Sequence, residues 1–461
     1  MHRQRRSGQR HRALTLPGTP GRDSPLALSP AEFAGRRRQL MDMAGNDAVL
    51  LLAAAPERMR NADAAWPYRQ DSDFHYLTGW PEPAAVLALL PGRGHGEAVM
   101  FCRERDATHE RWHGPSVGTE RAVAEFGMDD AFPIDDIDDI LPGMIEGRAR
   151  VYCHFGREAA FDAQLLGWMR RLRQLRGGGV APKEFMALGH LLHDLRLYKS
   201  RGELKLMRAA AALGVEAHLA AWRAARVGTH EYEVEAELLH AIGRRGAVAS
   251  FAPTVAAGAN ACVLHYRANR ARLRDGDLLL IDAGAEMDGY ASDISRTFPV
   301  NGRYSAEQRA LYEVVLAAQH AAIDTVRPGQ PFGAAHTAAV RVLAEGLCQL
   351  GLLKGDAASA VADGSYRRFF PAKTGHWLGL DVHDVGDYRV GGHSRLLEPG
   401  MVLTVEPGLY VPPDDLGVAE RWRGIGIRIE DDVAVTRDGH EILSAALPTA
   451  PDEIEALLAM R

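Results

Sequence analysis

Short runs of consecutive apolar residues stand at Ala48 to Ala53, Ala85 to Leu90 and Ala98 to Cys102, and their length and closure predict buried strands. Helical stretches lie between them, so the region up to about Arg176 reads as a smaller α/β domain. It opens at Ser29-Pro30-Ala31-Glu32, where Ser29 can cap a helix, Pro30 suits the first turn and Glu32 can reach back to the cap. Arg176-Gly177-Gly178-Gly179, with Pro182 beyond, predicts a surface loop, and a short helix is expected over 184–197. A second capping box, Ser200-Arg201-Gly202-Glu203, then opens a helix running from Leu204 to Ala225. Thr229 and Ser305 head two more helices, the latter with Gln308 in the box position and Pro328-Gly329 as its stop. Strands are expected at Leu278 to Asp282, Tyr290 to Phe298, Val402 to Glu406 and Ile425 to Glu430. Helices and antiparallel strands in blocks predict an α+β domain over 199–461, after an α/β domain over 28–198 and a basic extension over 1–27.

Composition narrows the class. A chain of 461 residues can bury two cores, and 46% hydrophobic with 25% charged residues is the balance of an ordinary globular protein. A net charge of -6 carries no global basic footprint, which argues against a nucleic-acid partner. No apolar run approaches the roughly 18 residues that span a bilayer, so no membrane association is expected. Cys102, Cys153, Cys262 and Cys348 are scattered without a CxxC pair and read as reduced packing residues of a cytoplasmic protein. Six arginines against the single acid Asp23 mark the leader, which reads as a disordered extension or a misplaced start.

The chemistry concentrates in the last third, at Asp282, Asp293, His376, Glu406 and Glu430, each in a segment that reads as a strand or strand end. Four carboxylates converging on one point repel one another unless cations sit between them, and two divalent ions would cancel their charge. Oxygen-rich ligation with one nitrogen and no thiolate favours a hard ion such as Mn2+. If Asp288-Gly289 is a two-residue turn, Asp293 falls opposite Gly284 and its carboxylate shares a hairpin face with that of Asp282. Any one of the five alone is better explained as a turn or core residue. Burying even one unpaired carboxylate costs roughly several kcal/mol, so charged groups ending apolar strands four times over point to a two-metal hydrolase.

Longer strings carry a resemblance. Leu279-Leu280-Ile281-Asp282-Ala283-Gly284 with Asp293-Ile294-Ser295-Arg296-Thr297-Phe298-Pro299-Val300, His376-Trp377-Leu378-Gly379-Leu380-Asp381-Val382-His383-Asp384, Thr404-Val405-Glu406-Pro407-Gly408-Leu409-Tyr410 and Gly424-Ile425-Gly426-Ile427-Arg428-Ile429-Glu430-Asp431 closely resemble the proline-specific aminopeptidases. The match is to the bacterial aminopeptidase P (Xaa-Pro aminopeptidase) family, within the creatinase, prolidase and methionine aminopeptidase superfamily. It implies a C-terminal pita-bread metallopeptidase domain behind a creatinase-like N-terminal domain. By family pattern Asp282 chelates one Mn2+, His376 and Glu406 bind a second, and Asp293 and Glu430 bridge both. His265 and His383 match substrate-site histidines, Arg428 a partner behind the ligands, and Tyr410 lies just past Glu406. Tyr68-Arg69-Gln70-Asp71-Ser72-Asp73-Phe74 with Thr78-Gly79 is similar to the first-domain signature. Trp112 matches an aromatic that a neighbouring subunit of tetrameric members places near the active site, so a dimer or tetramer is implied.

The implied reaction cleaves peptides with proline in the second position, a hydroxide bridging the two ions attacking the carbonyl before proline. Glu406 would move the proton from water to the leaving nitrogen, and His265 and His383 would hold the substrate and its developing oxyanion. One departure stands at Ala372, where bacterial relatives carry a further active-site histidine. Prolidase is the nearest rival activity. Methionine aminopeptidase is disfavoured by the large first domain. A metal-free binding module or amidinohydrolase is disfavoured by the five intact ligand positions.

Overall fold

The computed structural model describes residues 26–175 and 179–460, in two compact units, one ending at Leu192 and the other beginning at His193. The basic leader up to position 25 and the glycine turn at 176–178 lie outside the described residues.

In the first unit Ser29 caps the helix Pro30–Ala44, its Oγ accepting the Glu32 N–H at 3.3 Å. The apolar runs become strands Ala48–Ala53, Val86–Leu89 and Ala98–Cys102, buried almost throughout. They form the middle of a six-stranded mixed sheet that Asp130–Pro133 flanks on one side, and Arg150–Cys153 and Glu184–Ala187 on the other. Val49 and Leu51 pack with Leu141, Ile145, Trp168 and Leu172 from helices Ile137–Ile145 and Ala159–Arg173. The helix expected over 184–197 is corrected here. Glu184–Ala187 is a strand paired in parallel with Arg150–Cys153, and the helix starts only at Gly189. Pairing to a sheet edge, with Arg150 Nε on the Glu184 carboxylate at 2.6 Å, overrides local helix propensity.

The second unit uses one plan twice: a helix pair, then antiparallel strands. Helices Arg201–Ala224 and Glu231–Gly243 precede the sheet Thr254–Ala257, Leu278–Ala283, Ile294–Pro299. Helices Ala306–Ile323 and Gly333–Gln349 precede the sheet Val402–Val405, Asp431–Val435, His440–Ile442 and the ribbon Gly408–Val411, Ile425–Arg428. Both boxes at Ser200 and Ser305 are closed reciprocally. The helix that Thr229 is expected to head is instead capped by His230, whose N–H donates to the Glu233 carboxylate at 2.6 Å, while Thr229 Oγ1 turns back to the Arg226 carbonyl. The Ser305 helix ends at Ile323, short of Pro328-Gly329.

The hairpin that carries two acids follows the expected register. Asp288 (φ 50°) and Gly289 (φ 82°) turn the chain between the pairs Met287–Tyr290 and Glu286–Ala291. Asp282 faces Ser295 and Ala283 faces Ile294, so the same register sets Gly284 opposite Asp293. The strand expected over 290–298 is nevertheless interrupted at Ser292-Asp293. There the Asp293 N–H leaves the ladder and donates to the Asp432 carboxylate at 3.1 Å. Gly284 is where the backbone permits this, since a Cβ at that position would overlap the Ser292 carbonyl oxygen.

Candidate metal centre

Five carboxylates and imidazoles reach one place from the two halves of the second unit. Asp282 near the end of Leu278–Ala283 and Asp293 before Ile294–Pro299 come from the first half. His376, Glu406 and Glu430 come from the second, with Glu430 bridged to Ser295 through backbone. Asp293, His376 and Glu430 each offer a ligand atom within 4.8 Å of the others. Glu406 Oε1 is 3.7 Å and Asp293 Oδ2 3.5 Å from His376 Nε2. Asp282 lies outside that triad and is reached through Arg428, whose Nη2 donates to its Oδ2 at 2.6 Å. All five line one cavity of about 860 Å³, together with His265, His383, Tyr410 and Arg428.

The ligand atoms are held from behind. His376 Nδ1 lies 2.9 Å from the Trp377 carbonyl, which fixes the proton there and leaves the Nε2 lone pair for a cation. Thr404 pins the same residue, its Oγ1 accepting the His376 N–H and its N–H donating to the His376 carbonyl at 2.9 Å. The Glu406 N–H donates to the Thr374 carbonyl at 2.8 Å. Ser295 Oγ donates to Glu430 Oε2 at 2.6 Å and accepts from Arg428 Nε at 3.0 Å. Arg428 Nη1 donates to Tyr410 Oη at 2.9 Å. Arg428 is thus a buried three-pronged brace joining Asp282, Tyr410 and Ser295.

Electrostatics make the site demand more positive charge than the protein supplies. Burial, then the neighbouring Glu430 and Asp282, pushes the Asp293 carboxyl well above its usual range. Burial and Glu430 do the same to Glu406, and burial with Asp282 lifts Glu430 to about 7. Arg428 is pulled down by burial but held well above its ordinary value by Tyr410, Asp282 and Glu430. Burial and then the His376 and His265 rings lower His383, whose centroid is 4.3 Å from that of His376. One guanidinium faces four carboxylates.

The residues fit divalent cations. Asp282 Oδ1, Asp293 Oδ1 and Glu430 Oε1 are buried with no hydrogen-bond partner among the described residues, each leaving an acceptor that a cation could fill. Hard oxygen donors with one imidazole suit such an ion.

Sequence reasoning passed over several supports. Ser295 and Thr297 alternate with Asp293 on one strand face, and that period of two was the signal available for Ser295. Thr404, two residues before Glu406, follows the same rule. Asp432 and His336 left no local trace: Asp432 acts on the Asp293 backbone, and His336 lines the cavity from the helix Gly333–Gln349, its Nδ1 2.8 Å from Thr374 Oγ1. Ala372, the departure noted above, lines the same cavity. Trp112 sits on the short helix Ala107–His113 of the first unit, 79% exposed.

With this geometry in place, the chain can be set beside known proteins. Residues 205–437 match the model of Metallopeptidase family M24, and residues 33–152 that of the Aminopeptidase P, N-terminal domain. The chain is 43% identical to the Xaa-Pro aminopeptidase of Escherichia coli (strain K12) over 434 residues, 94% of this chain and 98% of that protein. It is 35% identical to Xaa-Pro aminopeptidase 3 of Rattus norvegicus, over 97% of this chain and 88% of that one. The solved structure of Pseudomonas aeruginosa aminopeptidase PepP superposes with a TM-score of 0.93 at 54% identity, covering 94% of this chain and 99% of the other.

Proposed function

Because the chain belongs to Metallopeptidase family M24 and carries the aminopeptidase P N-terminal domain ahead of its pita-bread unit, we propose that it releases the N-terminal residue from peptides with proline in the second position. What carries this is the convergence of Asp293, His376 and Glu430 within 4.8 Å, in a chain similar along 94% of its length to a protein named Xaa-Pro aminopeptidase.

The M24 family implies divalent metal ions, and the five-residue donor set supports two of them, read as Mn2+. Asp282 would hold one, His376 and Glu406 the other, with Asp293 and Glu430 shared. Divalent cations at this position supply Lewis acidity, lowering the pKa of a nearby water and polarising the scissile carbonyl. The protein's own groups do the rest. Glu406, itself braced through Thr374, takes a proton from the attacking water and returns it to the proline nitrogen, which as a leaving amine needs a general acid. His383, kept toward its neutral form by burial and two facing rings, and His265 donate to the oxygen on which negative charge develops. Arg428 holds and aims the Asp282 carboxylate, and Tyr410, held by Arg428, shapes the wall beside the substrate. Proline has no N–H and a fixed φ, so a site shaped for it needs no acceptor at that position.

The reading extends to a cytoplasmic homo-oligomer, dimer or tetramer, in which Trp112 of one subunit meets substrate bound by another; its 79% exposure supports this. No described helix is long and apolar enough to cross a membrane. The decisive measurement is Mn2+-dependent release of arginine from Arg-Pro-Pro. Glu406→Gln and Asp293→Asn should abolish it while leaving a folded protein, and persistent activity in either would overturn the assigned roles. Cleavage of this tripeptide also separates the enzyme from a strict dipeptidase. Elemental analysis identifies the ions, and light scattering of wild type and Trp112→Ala gives the assembly.

A further inference from the structure

His265 lies on a long connection between the strands Thr254–Ala257 and Leu278–Ala283, in a part with no regular structure beyond the short turn Gly258–Cys262. Its imidazole lines the cavity but stands exposed, so its position depends on what fixes the loop. That fixing point is Glu231, the first residue of the helix Glu231–Gly243. Its side chain is fully buried, and among the described residues no cation pairs with it. Its two oxygens instead accept four hydrogen bonds. Oε1 takes the Ala257 N–H at 2.8 Å and Asn260 Nδ2 at 2.9 Å, and Oε2 takes Tyr266 Oη at 2.9 Å and the Ala271 N–H at 2.8 Å.

Those donors bracket His265 on both sides. Ala257 and Asn260 precede it, Tyr266 is its neighbour, and Ala271 follows it. Asn260 Nδ2 also donates to Tyr266 Oη at 3.1 Å, and Thr254 Oγ1 donates to the Tyr266 carbonyl at 3.0 Å. A carboxylate taken from water at this depth is tolerated only when its lone pairs are filled, and here the loop and the strand end at Ala257 that precedes it fill all four. An anion at the first residue of a helix also meets the positive end of the helix dipole. The helix therefore offers the loop a preformed template, and the loop has one conformation that satisfies it. Close backbone approach adds a second constraint: a Cβ on Gly426 would collide with the Ala261 carbonyl, seating the start of the loop on the strand that carries Arg428.

We propose that Glu231 is a positioning residue that acts through His265, setting the distance from that imidazole to the bound substrate. This rests on the peptidase reading above for its kinetic arm. Displacing a contact by about 1 Å can cost on the order of 10²-fold in rate, so the effect is measurable although Glu231 never touches substrate.

The experiment is a double-mutant cycle on the metal-loaded enzyme with Arg-Pro-Pro. Glu231→Gln keeps shape but presents an NH2 where two donors already point. It should lower kcat/KM by roughly 10- to 10²-fold, with the same division between kcat and KM as His265→Ala. The double variant Glu231→Gln/His265→Ala should be no slower than His265→Ala alone, within about 2-fold. Tyr266→Phe, which removes one of the four bonds and spares the rest, should lie between wild type and Glu231→Gln and show the same non-additivity. Hydrogen exchange supplies an arm independent of activity: Glu231→Gln should lose protection over 257–271 and keep it over 278–283 and 294–299. Losses that multiply in the double variants, or unchanged exchange over 257–271, would overturn the proposal. Absence of tripeptide cleavage by wild type would strike the peptidase reading alone, leaving the exchange arm to decide whether Glu231 holds the loop.

Discussion

Arg428 Nη2 stands 2.6 Å from Asp282 Oδ2, and this contact ties an acid outside the Asp293, His376, Glu430 triad to the strand that ends beside Glu430. The guanidinium makes three directed bonds at once, to Asp282, Ser295 and Tyr410, which a point-like ammonium cannot reproduce. Arg428→Lys is therefore expected to lose metal affinity by roughly 10- to 100-fold, the usual effect of removing a group that orients a ligand. Titration of metal-free protein with Mn2+, followed by calorimetry, checks it. Unchanged affinity would mean that Asp282 is aimed by something other than this arginine.

Gly284 tests the hairpin. A methyl group there would overlap the Ser292 carbonyl, and the two strands that meet at this point carry Asp282 and Asp293, proposed above as metal ligands, at their ends. Gly284→Ala should destabilise by about 3 kcal/mol or more, in the range of severe core strain, and should reduce metal affinity in whatever fraction folds. Urea unfolding with and without Mn2+ separates the two effects. Gly243→Ala, where a Cβ meets nothing within 4 Å, is the matched control and should be nearly neutral.

Much of this was legible in the chain. The hairpin register followed from Asp288-Gly289 because a two-residue turn fixes pairing arithmetically, and Asp282 and Asp293 converge for that reason. Reciprocal capping at Ser200 and Ser305 is likewise local, each cap needing only the residue three positions on. What escaped depends on contacts between distant segments. Glu184–Ala187 became a strand because a sheet edge awaited it, and nothing within those four residues encodes that edge. Asp293 leaves its ladder because Asp432, well over a hundred residues away, offers a buried carboxylate to its N–H. Glu231 opens a helix and looks like any first-turn acid; its four partners belong to a distant strand end and the loop that follows it.

His218 gives the fold a pH dependence of its own. It is fully buried on the helix Arg201–Ala224, with Nε2 3.2 Å from the Ala283 carbonyl, and burial lowers its pKa from 6.5 to about 4. The unfolded chain binds a proton there below about 6.5 and the folded chain does not until about 4. Between those values the unfolded state holds more protons, so stability is complete above the upper one and falls as pH drops toward the lower. The group contributes about 3 kcal/mol across that window. Metal-free wild type and His218→Gln should therefore converge in stability as pH falls from 7 to 4. Parallel curves in urea titrations would refute the assignment.

Two buried cations, the buried Asp384 and the part-exposed Asp381 form a cluster behind the loop that carries His383. Lys199 Nζ lies 2.9 Å from Asp384 Oδ2, and Arg196 Nη2 lies 2.5 Å from Asp384 Oδ1 and 2.8 Å from Asp381 Oδ2. Burial raises the Asp384 carboxyl, but Lys199 and Arg196 outweigh it and hold the pKa below the ordinary 3.8. A depressed carboxylate lends stability above its unfolded value and loses it as pH falls through the folded one. Lys199→Met removes one of the two cations that outweigh burial. Stability should fall by about 3 kcal/mol at neutral pH, and acid unfolding should begin at a higher pH than in wild type. Adding Asp384→Asn to Lys199→Met removes the carboxylate left with only one of its two cations and should return part of that loss, since Arg196 keeps Asp381 as its partner. If the double variant is less stable than Lys199→Met, the cost lies in lost packing around the Lys199 stem and the electrostatic account fails.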